Sequence, residues 1–323
     1  MSAKKPVGIF CPSVGESDPR GRIKLLEKNI KELTNSGNTE YHFYLLVNNI
    51  FEINYNKFKN ILKDNITILP IFNNFKDMCS NYFNKINFAL EQNHEFSIKI
   101  DDDIFLKAKS WDKLIELTIN LKENDLFCTG LLTVNNATSD LYIKNFLPDY
   151  YKKFKQLCFE TSFKEVAGTD YSELNFSKNK MNFDWDNQIF LNDVKKLNTP
   201  FKGIHPVRVN FQVNRFINDT ILQNKDTCLE FKNNSIIKDV GQSGNIPYYT
   251  NNIFGIKTSN WKNMLSQKQL YADCFDEVVL NRYRDITKTN MVIHTGLPIV
   301  HTGYNWVCEP QYEQDFIDKL IME

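Results

Sequence analysis

The sequence predicts an α/β fold, with a mostly parallel sheet flanked by helices. Three observations point there. Short apolar runs alternate with segments of helical apolar spacing through the first 135 residues. At 323 residues, 42% of them hydrophobic and 13% aromatic, the chain can bury a large core. An acidic triplet, Asp101, Asp102 and Asp103, follows one of the apolar runs. Parallel sheets bind ligands beyond the carboxyl ends of their strands, so the triplet stands at such an end.

The elements follow in order. "VGIFCP" is an apolar run and reads as a buried strand. From Arg22, the residues Ile23, Leu26, Ile30 and Leu33 recur at helical spacing, and "NSGN" stops the helix. "YHFYLLVNN" is a second strand, followed by a short helix around Phe58, Ile61 and Leu62. "ITILPI" is a third strand. Met78, Tyr82, Ile86 and Leu90 mark a longer helix that ends near Asn93. "EFSIKI" is the fourth strand and runs into the aspartates. Ser110 reads as the N-cap of a helix carrying Leu114, Ile115, Thr118 and Leu121. "LFCTGLLTV" is a fifth strand. Alternation of this kind implies right-handed crossovers.

Between residues 136 and 247 the alternation breaks down in a stretch rich in aromatics, Asn and Lys, read as an inserted, partly irregular region. Order returns with "IPYYTNNIFGIKTSNW", a strand and then a helix beginning near Ser259. "DCFDEVVLNRYRDI" is helical, and "GLPIVHTGY" is the last strand. The expected organisation is an α/β half (1–135), a variable insertion (136–247) and a part that completes the core (248–323).

Composition narrows the function. Formal net charge is zero, so no strongly basic nucleic-acid face shows in the total. Seven cysteines (Cys11, Cys79, Cys128, Cys158, Cys228, Cys274, Cys308) are scattered, odd in number and without a CxxC pair. They read as buried thiols in a reducing compartment, not as a disulfide framework or a zinc site. "MSAKKPVGIFCPSVGE" lacks the apolar core of a signal peptide, and no run of about 18 apolar residues exists to span a membrane. The expected location is cytoplasmic, with peripheral membrane docking left open.

The three aspartates raise the chemical question. Adjacent carboxylates resist ionising together. A divalent cation would compensate them, whereas the bland reading is a solvated turn. On the repulsion argument, Asp103→Ala leaves the fold intact and raises its metal-free stability.

With "KIDDDIFL", the preceding helix "NKINFALEQN", and the later segments "FGIKTSNW", "DEVVLNRY" and "IVHTGY", the chain resembles a nucleotide-sugar-dependent glycosyltransferase of the GT-A fold, family-2-like. The likeness covers residues 6–135 and 247–305. It implies that Asp101 and Asp103 form a D-x-D motif holding Mn²⁺ or Mg²⁺, with Asp102 able to replace either one. It also implies a late histidine on the same metal. "HTG" occurs at His294 and at His301, and His301 fits the strand-end position better. An inverting member takes the acceptor proton with a carboxylate, here Asp276 or Glu277; ordinary helix N-terminal charge is the alternative for both.

By position, the donor nucleotide falls to Cys11, Pro12, Ser13 and Glu16 after the first strand, with Asp77 for the base and Arg20 or Arg22 for a phosphate. "SVGESDPRGR" is no GxGxxG fingerprint, which weighs against a dinucleotide dehydrogenase. Trp185 between Asp184 and Asp186 offers a sugar-stacking surface. His205 and Arg208 could hold an anionic group. The implied donor is a nucleoside-diphosphate sugar, UDP-sugar first, and the implied acceptor a glycan or lipid-linked saccharide. Modified DNA bases as acceptor, a non-catalytic nucleotide-sugar-binding protein and a nucleotidyltransferase are the competing readings. Neutral charge weighs against the DNA acceptor.

Overall fold

The computed structural model describes residues 5–13, 20–48, 56–71, 90–135, 137–160, 207, 210–240, 249, 251–266, 276–302 and 310–322. The described strands are β1 (Val7–Ser13), β2 (Tyr41–Asn48), β3 (Ile66–Ile71), β4 (Phe96–Ile100), β5 (Ile104–Phe105), β6 (Asp125–Leu132), β7 (Ile236–Val240), β8 (Ile253–Lys257) and β9 (Asn290–His301). The helices are α1 (Arg22–Asn35), α2 (Asn56–Leu62), α3 (Ala108–Ile119), α4 (Ser139–Phe146), α5 (Pro148–Glu160), α6 (Phe211–Gln223), α7 (Lys225–Cys228), α8 (Thr258–Ser266), α9 (Asp276–Thr287) and α10 (Pro310–Ile321).

The sheet has nine strands in the order β3-β2-β1-β4-β8-β6-β9-β5, with β7 also paired to β9. The first four are parallel. β8 runs antiparallel to both β4 and β6, and β6 lies parallel to β9. β5 and β7 are antiparallel to β9. The sheet is therefore mostly parallel, with β5, β7 and β8 reversed. Its core is apolar on both faces: every residue of β4 and β6 is buried, as a covered parallel sheet requires. α1 buries Ile23, Leu26, Ile30 and Leu33, each contributing roughly 1.5–3 kcal/mol.

Two close approaches require glycine. A Cβ on Gly255 of β8 would lie 1.9 Å from Thr118 Oγ1 on α3, and one on Gly130 of β6 would lie 2.3 Å from the Leu297 carbonyl. Gly130 sits where the β6–β9 register shifts, Thr129 pairing Ile293 and Leu131 pairing Pro298. Residues 294–297 of β9 thereby bulge.

Four features differ from the sequence expectation. The strand before α8 runs against its neighbours. β9 begins at Asn290, ahead of "GLPIVHTGY". Edge strand β7 went unrecognised because Ile236 and Ile237 are exposed and give no inward pattern; Lys238 fastens it by gripping both Asp125 oxygens at 2.9 Å. Ser110 does not cap α3. Lys107 holds the N-cap place, Glu32 Oε2 accepts from Ala108 N at 3.1 Å, and Ser110 is buried in the first turn. Within 136–247, the described residues are mainly helical. The longer helix expected before Asn93 lies outside the described residues except for its end at Leu90.

Candidate functional site at the carboxyl end of the sheet

The chain enters through β1, runs outward to β2 and β3, and crosses back to β4 on the other side of β1. In an open α/β sheet the crevice at such a reversal is where ligands bind. The carboxyl ends of β1 and β4 border it. β1 contributes Cys11, Pro12 and Ser13, and β4 leads directly into Asp101–Asp103.

The three aspartates have different partners. Asp101 turns to Lys99, whose Nζ is 2.6 Å from Oδ1, and accepts from Asn252 Nδ2 at 3.3 Å through Oδ2. Lys99 and Asp101 are two residues apart on extended chain and so share a face. Lys99 Nζ also donates to the Asn251 carbonyl at 2.8 Å. Asp102 and Asp103 are buried and face Arg22, the first residue of α1: Nη1 lies 3.7 Å from Asp102 Oδ1, and Nη2 3.3 Å from Asp103 Oδ2. Asp103 Oδ2 also lies 3.2 Å from His301 Nε2.

Arg22 is aimed by two features. Gly21 ahead of it has φ +73°, a left-handed conformation that favours glycine. Glu313 on α10 accepts from Arg22 Nε at 2.8 Å and Nη2 at 3.4 Å. Arg20 joins the same carboxylate at 3.4 Å. The segment after the triplet is fixed by Asn29 of α1. Its Oδ1 accepts from Leu106 N at 3.1 Å and Trp111 Nε1 at 3.0 Å, and its Nδ2 donates to the Ile104 carbonyl at 2.9 Å.

Repulsion among the aspartates is thus met by side chains of the protein itself, which the cation argument from sequence did not include. Burial works to raise the Asp103 carboxyl, but His301 and Arg22 outweigh it and hold it below the usual carboxylate range. Burial likewise opposes charge on His301, and Asp103 outweighs it, raising that imidazole. Glu313 is pushed up by burial against the pull of Arg22.

Hydrogen bonding is nevertheless incomplete here. Ser13 Oγ, Asp103 Oδ1, Asn251 Nδ2 and Asn252 Oδ1 are buried without a hydrogen-bond partner among the described residues. Native proteins rarely leave such atoms unmatched, and a ligand with polar groups in this crevice would match them. A divalent cation fits part of it. Asp103 Oδ1 is an unmatched carboxylate oxygen. His301 Nδ1 lies 3.0 Å from the Val134 carbonyl, which orients Nε2 toward Asp103. Oxygen plus imidazole suits Mn²⁺. Among the described residues, no three His, Cys, Asp or Glu groups converge to form a complete metal cage, so phosphate oxygens and water would have to finish the shell.

The other expected residues fall as follows. His294 lies in the β9 bulge, its Nδ1 accepting from Gly296 N at 3.1 Å and its ring 5.3 Å from Phe231; it is His301 that meets the triplet. Cys11 is buried, and burial reinforced by Asp102 and Asp101 raises its thiol well above the usual range. Asp276 and Glu277 are the first residues of α9, but their side chains lie outside the described residues. α9 is tied to the segment before β8: Asn281 accepts from Tyr249 N at 3.0 Å and donates to its carbonyl at 2.7 Å. Glu16, Asp77, Asp184, Trp185, Asp186, His205 and Arg208 lie outside the described residues. Sequence reasoning missed Lys99, Asn252 and Glu313. The Lys-x-Asp spacing could have revealed Lys99; nothing local marks Glu313, 291 positions from Arg22.

No family model matches the chain, and no curated protein does. Among solved structures, the apo form of WbbM, a bifunctional glycosyltransferase, aligns over 99% of this chain and 50% of its own at 12% identity, with a TM-score of 0.42. A 4-diphosphocytidyl-2C-methyl-D-erythritol synthase from Anaerococcus prevotii aligns over 40% of this chain and 56% of its own at 16% identity, with a TM-score of 0.29. The chain spans about half the length of each of these structures. Neither superposition is close enough to bear on function.

Proposed function

We propose that the protein is a metal-dependent glycosyltransferase that moves a sugar from a nucleoside-diphosphate sugar to a hydroxyl acceptor, a glycan or lipid-linked saccharide, with inversion. The observation that carries this reading is Asp103: a buried carboxylate with one oxygen unmatched among the described residues, beside His301, in the switch-point crevice. Asp103 and His301 would hold Mn²⁺ or Mg²⁺, and Asp101 would border the pocket. Bound there, the ion would supply neutralising charge for the departing diphosphate.

The chain's own residues would do the rest. Ser13 and Pro12, at the end of β1, border the place for the nucleoside. Lys99 and Arg22 set positive charge beside the aspartates, favouring an anionic donor. Asp276 or Glu277, at the start of α9, takes the proton of the acceptor hydroxyl while its oxygen attacks the anomeric carbon and the bond to phosphate breaks. The Asn281–Tyr249 bonds hold α9 in place for that step.

A melting series with UDP, GDP, dTDP, CDP and CMP, each with and without Mn²⁺, tests the reading. One nucleotide should stabilise the protein only with Mn²⁺, by about 2.7 kcal/mol at about 100 times its Kd, and Asp103→Asn should abolish the effect. Stabilisation by none of them, or equal stabilisation without metal, would overturn it.

A further inference from the structure

Four carboxylates meet at the crevice: Asp101, Asp102, Asp103 and Glu313. Arg22 is 6% exposed and Glu313 fully buried. The guanidinium makes its short contact, 2.8 Å, with Glu313, and lies farther from Asp103 (3.3 Å) and Asp102 (3.7 Å). It is therefore anchored on α10 and laid along the aspartates without a close fork onto either, although a fork is the strong geometry for arginine and carboxylate. Asp103 uses Oδ2 for both Arg22 and His301, and its Oδ1 has no hydrogen-bond partner among the described residues.

We propose that Arg22, anchored by Glu313, is the resident counter-cation of the acidic turn and competes with a divalent ion for Asp103, an inference that rests on the metal reading above. A cation approaching Asp103 meets a fixed like charge that its anchor keeps from withdrawing. The bare site therefore binds metal weakly. A nucleoside diphosphate brings negative charge that answers both the ion and Arg22, so metal and donor load together. Such coupling keeps an empty enzyme from holding metal and is reciprocal between the two ligands.

The test is Mn²⁺ binding without nucleotide, read from the free-ion electron paramagnetic resonance signal, on the full chain. Arg22→Gln combined with Glu313→Gln removes one charge of each sign, keeps hydrogen-bonding groups in both places and avoids leaving the buried Glu313 carboxylate without its guanidinium; a melting curve checks that it folds. Glu313→Gln alone keeps the cation. The double variant should bind Mn²⁺ about tenfold more tightly than Glu313→Gln alone, from which it differs only by the Arg22 charge, the least expected for removing a unit charge a few ångströms away at an effective dielectric of about 20. Arg22→Lys, which keeps the charge, should stay near the parent, and Asp103→Asn should bind least. Binding that depends on Asp103 but is no tighter in the double variant than in Glu313→Gln alone overturns the role of Arg22 and leaves the metal reading standing. Binding in none of the proteins, or binding indifferent to Asp103, overturns both.

Discussion

At the residue scale, the acidic turn is decided by partners and not by mutual repulsion. Sequence alone suggests that Asp103→Ala relieves like charge and stabilises the metal-free protein. The structure reverses the sign. Removing Asp103 leaves Arg22 and His301 without the carboxylate between them, and breaking a buried pair costs about 3–5 kcal/mol. Asp103→Ala should lower stability on that scale in urea unfolding without metal. Asn29→Leu removes the acceptor shared by Leu106 N and Trp111 Nε1 and should cost about 2–6 kcal/mol, since each buried donor left unmatched costs roughly 1–3; the same urea unfolding curves read it. Asp276→Asn should slow transfer about 10²–10⁴-fold with donor affinity unchanged; a loss of donor affinity measured by calorimetry would make Asp276 a binding group instead. The aspartates, His301 and Arg22 were all visible in the sequence as candidates, because each sits at the end or start of a recognisable element. Which charge faces which was not visible, since the pairs join residues as far apart as 22 and 313.

At the element scale, the first four strands and α1 were legible because their apolar residues keep strict periods. The reversal of β8 was not, because strand direction within a mixed sheet follows from the chain's path and leaves no mark on the strand's own residues. Helix α3 shows how a local rule yields to tertiary structure: Ser110 has the right chemistry for a cap, but Glu32, from α1, supplies the acceptor to Ala108 N, two positions earlier in the chain. The contact between α3 and β8 is similarly non-local and closely packed. Gly255→Ala would press a methyl group into Thr118 and should cost about 1–3 kcal/mol, read as a lowered urea midpoint with the slope unchanged.

At the scale of the whole molecule, zero net charge conceals an uneven arrangement, with buried charge concentrated at one end of the sheet. His42 is a titrating group elsewhere in the molecule, packed against His94. Their rings stack at 6.1 Å; His42 Nε2 lies 2.8 Å from Thr67 Oγ1, and His94 Nε2 lies 2.7 Å from the Tyr44 hydroxyl. Burial, then His94, lowers the pKa of His42. The unfolded chain then takes up the proton first as pH falls, so the stability from this group is complete above about pH 6.5 and is lost below it as pH drops through the folded value. Between pH 7.5 and 5.5 the parent should lose more stability than His42→Gln, read as the difference in urea midpoints. The bond between Arg22 and Glu313 has a consequence in time as well as in space. A ribosome adds roughly 5–20 residues per second, so tens of seconds separate the synthesis of the two ends of that bond. Through that interval the nascent chain can assemble β1 to β4 while Arg22 still lacks its anchor. Arg22 is therefore fixed beside the acidic turn only when translation of α10 is done, and a stalled chain would carry the crevice in an unfinished state.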